Sequence, residues 1–160
     1  MVQGTNENAA RRIAKNGFGT VASLDKGWFG QGIYFTSQVP YACNYSKQSE
    51  HGNVFLVSLV IPGNPCPITD APLLKDKSQS PNPSGFLGKS CRPGYQSHYL
   101  VVNNGYPSRE AVRSDSADEL VVFEPSHALP LFLIYSSQLS DQEGSDNFQS
   151  SRKKESKQTT

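Results

Sequence analysis

Gly27-Trp-Phe-Gly-Gln-Gly-Ile-Tyr-Phe-Thr-Ser37 decides the fold class. Its second half, 32–36, is built of β-formers that leave a glycine-rich turn, so the spacing predicts a strand there. Ser37 can then cap a helix that tolerates Pro40 in its first turn. The opening Gly30-Gln-Gly32 looks like the start of a dinucleotide fingerprint. Phe35, however, stands where a third glycine must allow helix and strand to touch, and the glycines precede a strand instead of following one. A Rossmann loop is excluded.

Working outward, residues 6–16 read as one short amphipathic helix. Asn6 is its N-cap, Glu7 lies in the first turn, Ala9/Ile13 and Ala10/Ala14 recur at helical spacing, and Gly17 is the stop. Residues 54–61 form an apolar run closed by Pro62-Gly63, which predicts a buried strand. The stretch 66–97 is rich in Pro, Ser and Lys and has no periodicity, the signature of a long functional or mobile loop. Three further strands are expected at 98–102, before Asn103-Asn-Gly105, at 119–124 and at 131–135. Strands outnumber helices and do not alternate with them, so the fold class is α+β, mostly antiparallel, in one domain over 1–137. In 138–160 only Leu139 and Phe148 are large and apolar, and eight of the 23 residues are charged, so this end reads as a disordered polar tail. Its Arg152-Lys153-Lys154 run, with Lys157, leaves open a nuclear address or a nucleic-acid contact, although a short basic run in a polar tail is usually just solvated.

Lys+Arg 15 against Asp+Glu 14 leaves a net charge of +1, so there is no overall positive field for nucleic acid or an anionic membrane. Any partner must be held by a site. No apolar run approaches the length of a membrane span, and a polar, Asn-rich stretch follows Met1 where a signal peptide would be apolar. The expectation is an intracellular protein of the nucleus or cytoplasm, free of the membrane. Cys43, Cys66 and Cys91 are odd in number and widely spaced, which argues against a disulfide framework and a zinc site and for a reduced compartment. His51, His98 and His127 have neither metal spacing nor a neighbouring nucleophile and read as structural or surface residues.

Three places could carry chemistry. Tyr34 follows the glycine-rich turn, and Tyr45 stands at helical spacing from Tyr41 on the next helix, so two aromatic faces can bracket a flat ring or fill the core. Gly4 lets a ligand reach the main chain, or merely serves a turn. Glu119 opens the apolar strand Glu-Leu-Val-Val-Phe, where a carboxylate is either solvated or aimed at a ligand.

Taken together and in order, Gly4-Thr5 before a helix and Gly17-Phe18, Gly30-Gln-Gly-Ile-Tyr-Phe35, Asn44-Tyr45, Gly94-Tyr-Gln-Ser-His-Tyr99, and Asp118-Glu-Leu-Val-Val-Phe123 leading into 127–134 resemble the catalytic domain of the poly(ADP-ribose) polymerases, the diphtheria-toxin-like ADP-ribosyltransferases. The resemblance runs from residue 3 to about 136. It implies a split antiparallel β-sandwich that binds NAD as substrate, without a metal, and moves ADP-ribose to an acceptor, a protein side chain first of all, while nicotinamide leaves. It also implies the roles. Tyr34 stacks on nicotinamide and is catalytic together with Glu119, Tyr45 covers the ring's other face, Gly4 with Thr5 holds the carboxamide side through the main chain, and Glu119 bonds the nicotinamide ribose and orients the acceptor. Gln3 replaces the family histidine at the adenosine ribose, where its amide can still donate. Ala42 replaces a serine that would bond the carboxamide. The 66–97 loop takes the donor and acceptor side, where Lys75, Lys77, Lys89 and Arg92 can meet pyrophosphate or solvent. The family's first strand is expected to lie ahead of residue 3, where only Met1 and Val2 stand. The departures leave a second reading open, a catalytically inactive module that binds NAD, ADP-ribose or a protein partner.

Overall fold

The computed structural model describes residues 1–19, 27–46, 52–68, 86–103, 106–107 and 116–136. Its elements are β1 (Val2–Thr5), α1 (Glu7–Asn16), β2 (Ile33–Phe35), α2 (Val39–Cys43), β3 (Asn53–Val60), β4 (Pro65–Pro67), β5 (Ser97–Asn103), β6 (Tyr106–Pro107), β7 (Ala117–Val122) and β8 (Ala128–Ser136), with a 3-10 turn at Pro125–His127 before β8. They form two sheets, β1-β3-β8 and β2-β7-β5-β4, with β6 on the edge of β5. Every pairing is antiparallel except β4 with β5. The sheets meet where Val2 and Thr36 exchange two main-chain hydrogen bonds of 2.8 and 2.9 Å, and beyond that bridge they part.

α1 forms for the reasons written in its sequence. The Asn6 side chain accepts the Ala9 N–H at 2.9 Å, and Gly17, at φ 76°, gives its N–H to the Ile13 carbonyl at 2.8 Å. Ala10 and Ile13 point into a core made with Phe18, Ile33, Phe35, Val54, Leu56, Leu120 and Val122, while Glu7 and Arg11 pair on the outside at 2.8 Å. Tyr135 of β8 donates to the Glu7 carboxylate at 3.1 Å and fastens the helix to that sheet.

Strand alternation divides the second sheet between two cores. Ile33 and Phe35 of β2, with Leu120 and Val122 of β7, face the α1 side. Val121 faces the opposite side with Leu100, Val102, Phe29 and Ile68, and Tyr34, Tyr41, Phe86, Ala117 and Phe123 pack around them. Glu119 lies on this second face, in register with Leu100, and Tyr34 stands across from Val121 two residues along.

β1, which carries Gln3 and Gly4, pairs residue for residue with β3 from Val2/Val57 to Thr5/Val54. Three expectations change. Cys66 and Pro67, assigned to a long loop, belong to β4. A three-residue strand flanked by prolines has no alternation to read, and it exists because it pairs with 97–99. The cap of α2 is Gln38, not Ser37, and it makes no side-chain bond. Ser37 is drawn instead to Asp118. β7 begins two residues early, at Ala117, so Glu119 lies inside the strand and not at its lip. Residues 69–85, with Lys75 and Lys77, the tail 138–160, and His51 lie outside the described residues.

Candidate active site

The site is assembled from three local features. The first is the glycine-rich turn. Gly30 is held at φ 125°, a backbone region that favours glycine, and the place a Cβ would take is filled by the Phe123 ring. With the turn drawn in, the Tyr34 hydroxyl accepts the Phe29 N–H at 2.9 Å and donates to the Gly30 carbonyl at 2.8 Å, which pins the ring to the turn.

The second feature is His98, on the same face, fully buried between the rings of Phe86 and Phe123 at centroid distances of 4.9 and 4.7 Å. The Arg92 N–H donates to Nε2 at 3.0 Å, so the ring proton sits on Nδ1 and is donated to the Phe29 carbonyl at 2.6 Å. Burial pushes the His98 pKa down, in keeping with a neutral imidazole that clips the turn to β5. The histidine therefore has a structural role. Next to this clip, Lys89 and Arg92 line a cavity of about 560 Å3 with Phe86, Ser90, Cys91 and Pro93, and the Lys89 carbonyl accepts the Gln31 N–H at 2.7 Å.

The third feature is α2. One oxygen of Asp118 accepts from the Ser37 N–H at 2.7 Å, the Ser37 hydroxyl at 2.8 Å and the Thr36 hydroxyl at 3.1 Å, fixing the exit of β2 and the entry of the helix. At the other end, the space beside Gly4 is closed by the Ala42 carbonyl and the Ser46 N–H, so only glycine lets α2 lie so close on β1. Seated between them, Tyr41 donates to Glu119 Oε1 at 2.5 Å. The Tyr45 hydroxyl is 3.0 Å from that of Tyr41 and 3.5 Å from Oε1.

Glu119 is 6 % exposed. Burial pushes its pKa up, the two phenols pull it back down, and the charge of Asp118 adds to the rise. Burial also raises both tyrosines, and hydrogen bonding to Glu119 raises Tyr41 further. Glu119 Oε2 has no hydrogen-bond partner among the described residues.

Of the residues singled out in the sequence, Glu119 and Tyr45 are in contact, Tyr34 shares their sheet face, and Gly4 abuts the helix that carries Tyr45. Gln3 and Thr5 stand across from Leu56 and Val54, on the side of β1 away from Gly4, and the Gln3 Oε1 is buried without a partner among the described residues. Tyr41 and Asp118 were not marked as site residues. The signal for Tyr41 was its i, i+4 spacing from Tyr45. Asp118 had none beyond adjoining Glu119. No group of His, Cys, Asp and Glu among the described residues could hold a metal ion, and no described helix is long and apolar enough to cross a membrane.

The arrangement can present a desolvated carboxylate, held on one oxygen, beside aromatic rings. That suits an electron-poor ring leaving a centre that becomes positive. A search of curated proteins finds no match. The family model of the poly(ADP-ribose) polymerase catalytic domain matches residues 2–138, a span that takes in both sheets, both helices and every site residue above, and the chain belongs to that family.

Proposed function

We propose that the chain is an NAD-dependent ADP-ribosyltransferase that passes ADP-ribose from NAD to a protein side chain and releases nicotinamide, its catalytic domain occupying 1–137. The observation that carries the reading is Glu119: a carboxylate 6 % exposed, with one oxygen held by Tyr41 and the other left for a ligand. When the bond from nicotinamide nitrogen to ribose carbon breaks, the electron pair leaves with nicotinamide and the ribose takes on oxocarbenium character. A fixed negative charge beside it stabilises that state more than the ground state, as glycosidase carboxylates do. The acceptor oxygen then bonds to the same carbon and gives up its proton. One well-placed electrostatic group of this kind is worth about 2.7–4 kcal/mol.

In this reading Glu119 Oε2 accepts a ribose hydroxyl, Tyr34 stacks on nicotinamide from its pinned position, and Tyr45 covers the second face. Gly4 offers main-chain groups to the carboxamide. By strand alternation its N–H and C=O turn to the same edge as those of Val2, past the point where the sheets part. Thr5 follows Gly4 in β1 with its main-chain groups turned to β3, and Gln3 serves the adenosine ribose once its amide leaves the orientation it has here. That orientation, with the amide oxygen buried, favours the second reading, a module that binds NAD without turning it over.

Two measurements separate the readings. Saturating NAD, at about a hundredfold over Kd, stabilises a protein that binds it only when folded by about 2.7 kcal/mol, so the melting midpoint should rise in both readings. Nicotinamide should be released from NAD only in the first. No melting shift with NAD or with a benzamide overturns NAD binding in both readings and leaves a module that binds a protein partner.

A further inference from the structure

We propose that Tyr41 is a positioning residue for Glu119, holding Oε1 at the end of a directed hydrogen-bond relay, Tyr45 to Tyr41 to Glu119, so that Oε2 alone meets the substrate. The inference rests on the transferase reading of the same site and goes beyond it, since the family resemblance gives the role beside the ring to Tyr45 and none to Tyr41.

The direction of the relay follows from counting protons. Each phenol has one. Tyr41 lies 2.5 Å from Glu119 Oε1, so its proton goes to the carboxylate. The 3.0 Å contact between the two hydroxyls must then be a donation from Tyr45 to the Tyr41 oxygen. Tyr45 has no second proton for Oε1, and at 3.5 Å it stands at the limit of a hydrogen bond in any case. Tyr45 therefore acts on Glu119 through Tyr41, and a chain of this kind strengthens its last bond. The geometry is built in. Tyr41 packs against the second core, the two rings meet edge to face at 5.5 Å and 67°, and both ends of α2 are fixed, by Asp118 and by Gly4.

The groups around Glu119 are Tyr41 and Tyr45 from α2, Asp118 on its own strand, Leu100 and the neutral His98 from β5, and Tyr34 from β2. Burial raises the Glu119 pKa, the hydrogen bond from Tyr41 lowers it, and the charge of Asp118 raises it. Removing the Tyr41 hydroxyl frees the carboxylate to rotate and weakens its ionised form.

The test is a carboxyl-carbon NMR titration of the whole chain labelled in glutamate, with the Glu119 signal assigned by its loss in Glu119→Gln. Tyr41→Phe should raise the Glu119 midpoint by about one unit and Tyr45→Phe by clearly less, in the order the relay imposes. In the active protein, Tyr41→Phe should lower kcat about tenfold to a hundredfold, leave KM for NAD within about threefold, and move the acid limb of the pH profile up with the NMR midpoint. The unsubstituted protein gives a check that does not depend on a variant folding. The hydroxyl-bearing ring carbon of Tyr41, labelled, should shift at the Glu119 midpoint, because its acceptor loses charge there. A Glu119 midpoint unmoved by Tyr41→Phe, or moved more by Tyr45→Phe, or a Tyr41 signal that ignores it, overturns the relay even if transfer is intact. The expected titration without any release of nicotinamide leaves the relay standing and removes the transferase reading.

Discussion

Glu119, the proposed catalytic residue, differs from its neighbours in what burial does to it. Leu120 and Val122 stabilise the fold by leaving water, whereas Glu119 leaves water at a cost, because burial disfavours its charged form. Its pKa is raised above the ordinary 4.5, so between that value and the folded one the native state holds more protons than the unfolded chain. Stability from this group is full below pH 4.5, declines as pH rises through that window, and is fully lost above the folded pKa. Glu119→Gln keeps an acceptor for Tyr41 without the charge. It should therefore melt higher than the parent at about pH 8 and no higher at about pH 4, while losing transfer. A lower midpoint at about pH 8 would mean that the charge is stabilising where it sits. Gly4 is the second residue to test. Gly4→Ala puts a methyl against the Ala42 carbonyl, a main-chain atom that moves only if α2 moves, so it should cost about 1–3 kcal/mol and abolish NAD-dependent stabilisation. An unchanged melting point and unchanged NAD response would show that α2 can slide without consequence.

The elements that hold the site were legible where local chemistry decides them, and not where pairing does. α1 could be read because cap, periodicity and stop agree, and all three are made. β3 and β8 could be read from apolar content, though β8 runs from Ala128, earlier than its apolar run suggests, because its register with β3 continues through a bulge at Val57/Ser58. β1, β4 and β6 are too short to carry a pattern of their own and exist only through partners distant in sequence. The same holds within the site. Tyr34, Tyr45 and Glu119 could be found in the chain, but that Tyr41 holds Glu119, 78 residues away, could not. Nor could the capture of Ser37 by Asp118, which moved the helix start. That clamp is testable at the element scale. Asp118→Ala removes the acceptor of three hydrogen bonds and should cost about 1–3 kcal/mol, whereas Asp118→Asn keeps an acceptor oxygen and should cost less. Equal losses would mean that charge, not geometry, holds the β2 exit.

At the scale of the whole molecule, two cores share the second sheet, and each has a separate task. The α1 side provides stability, so Ile13→Ala, in a fully packed position, should cost about 2–5 kcal/mol with NAD response retained as long as the protein is folded. The other side holds the proposed site and is clipped together by His98. Its pKa is lowered, so below the ordinary 6.5 the unfolded chain takes up the proton first, and stability falls as pH drops from there toward the folded value. His98→Gln should flatten that acid loss. The division explains why a family likeness could be followed through the chain while composition alone pointed only to an α+β domain. The proposed site is a few residues on one face, and their joint placement comes from the sheets.

The central claim is that this face, through Glu119, breaks NAD and transfers ADP-ribose. NAD labelled in its adenylate should be incubated with the chain and an acceptor protein mixture, followed by measurement of free nicotinamide and covalent label. The account predicts that both appear with the unsubstituted chain and that both vanish in Glu119→Gln, while NAD still raises the melting midpoint of that variant. Binding without nicotinamide release from the unsubstituted chain, or equal labelling by Glu119→Gln, would contradict it.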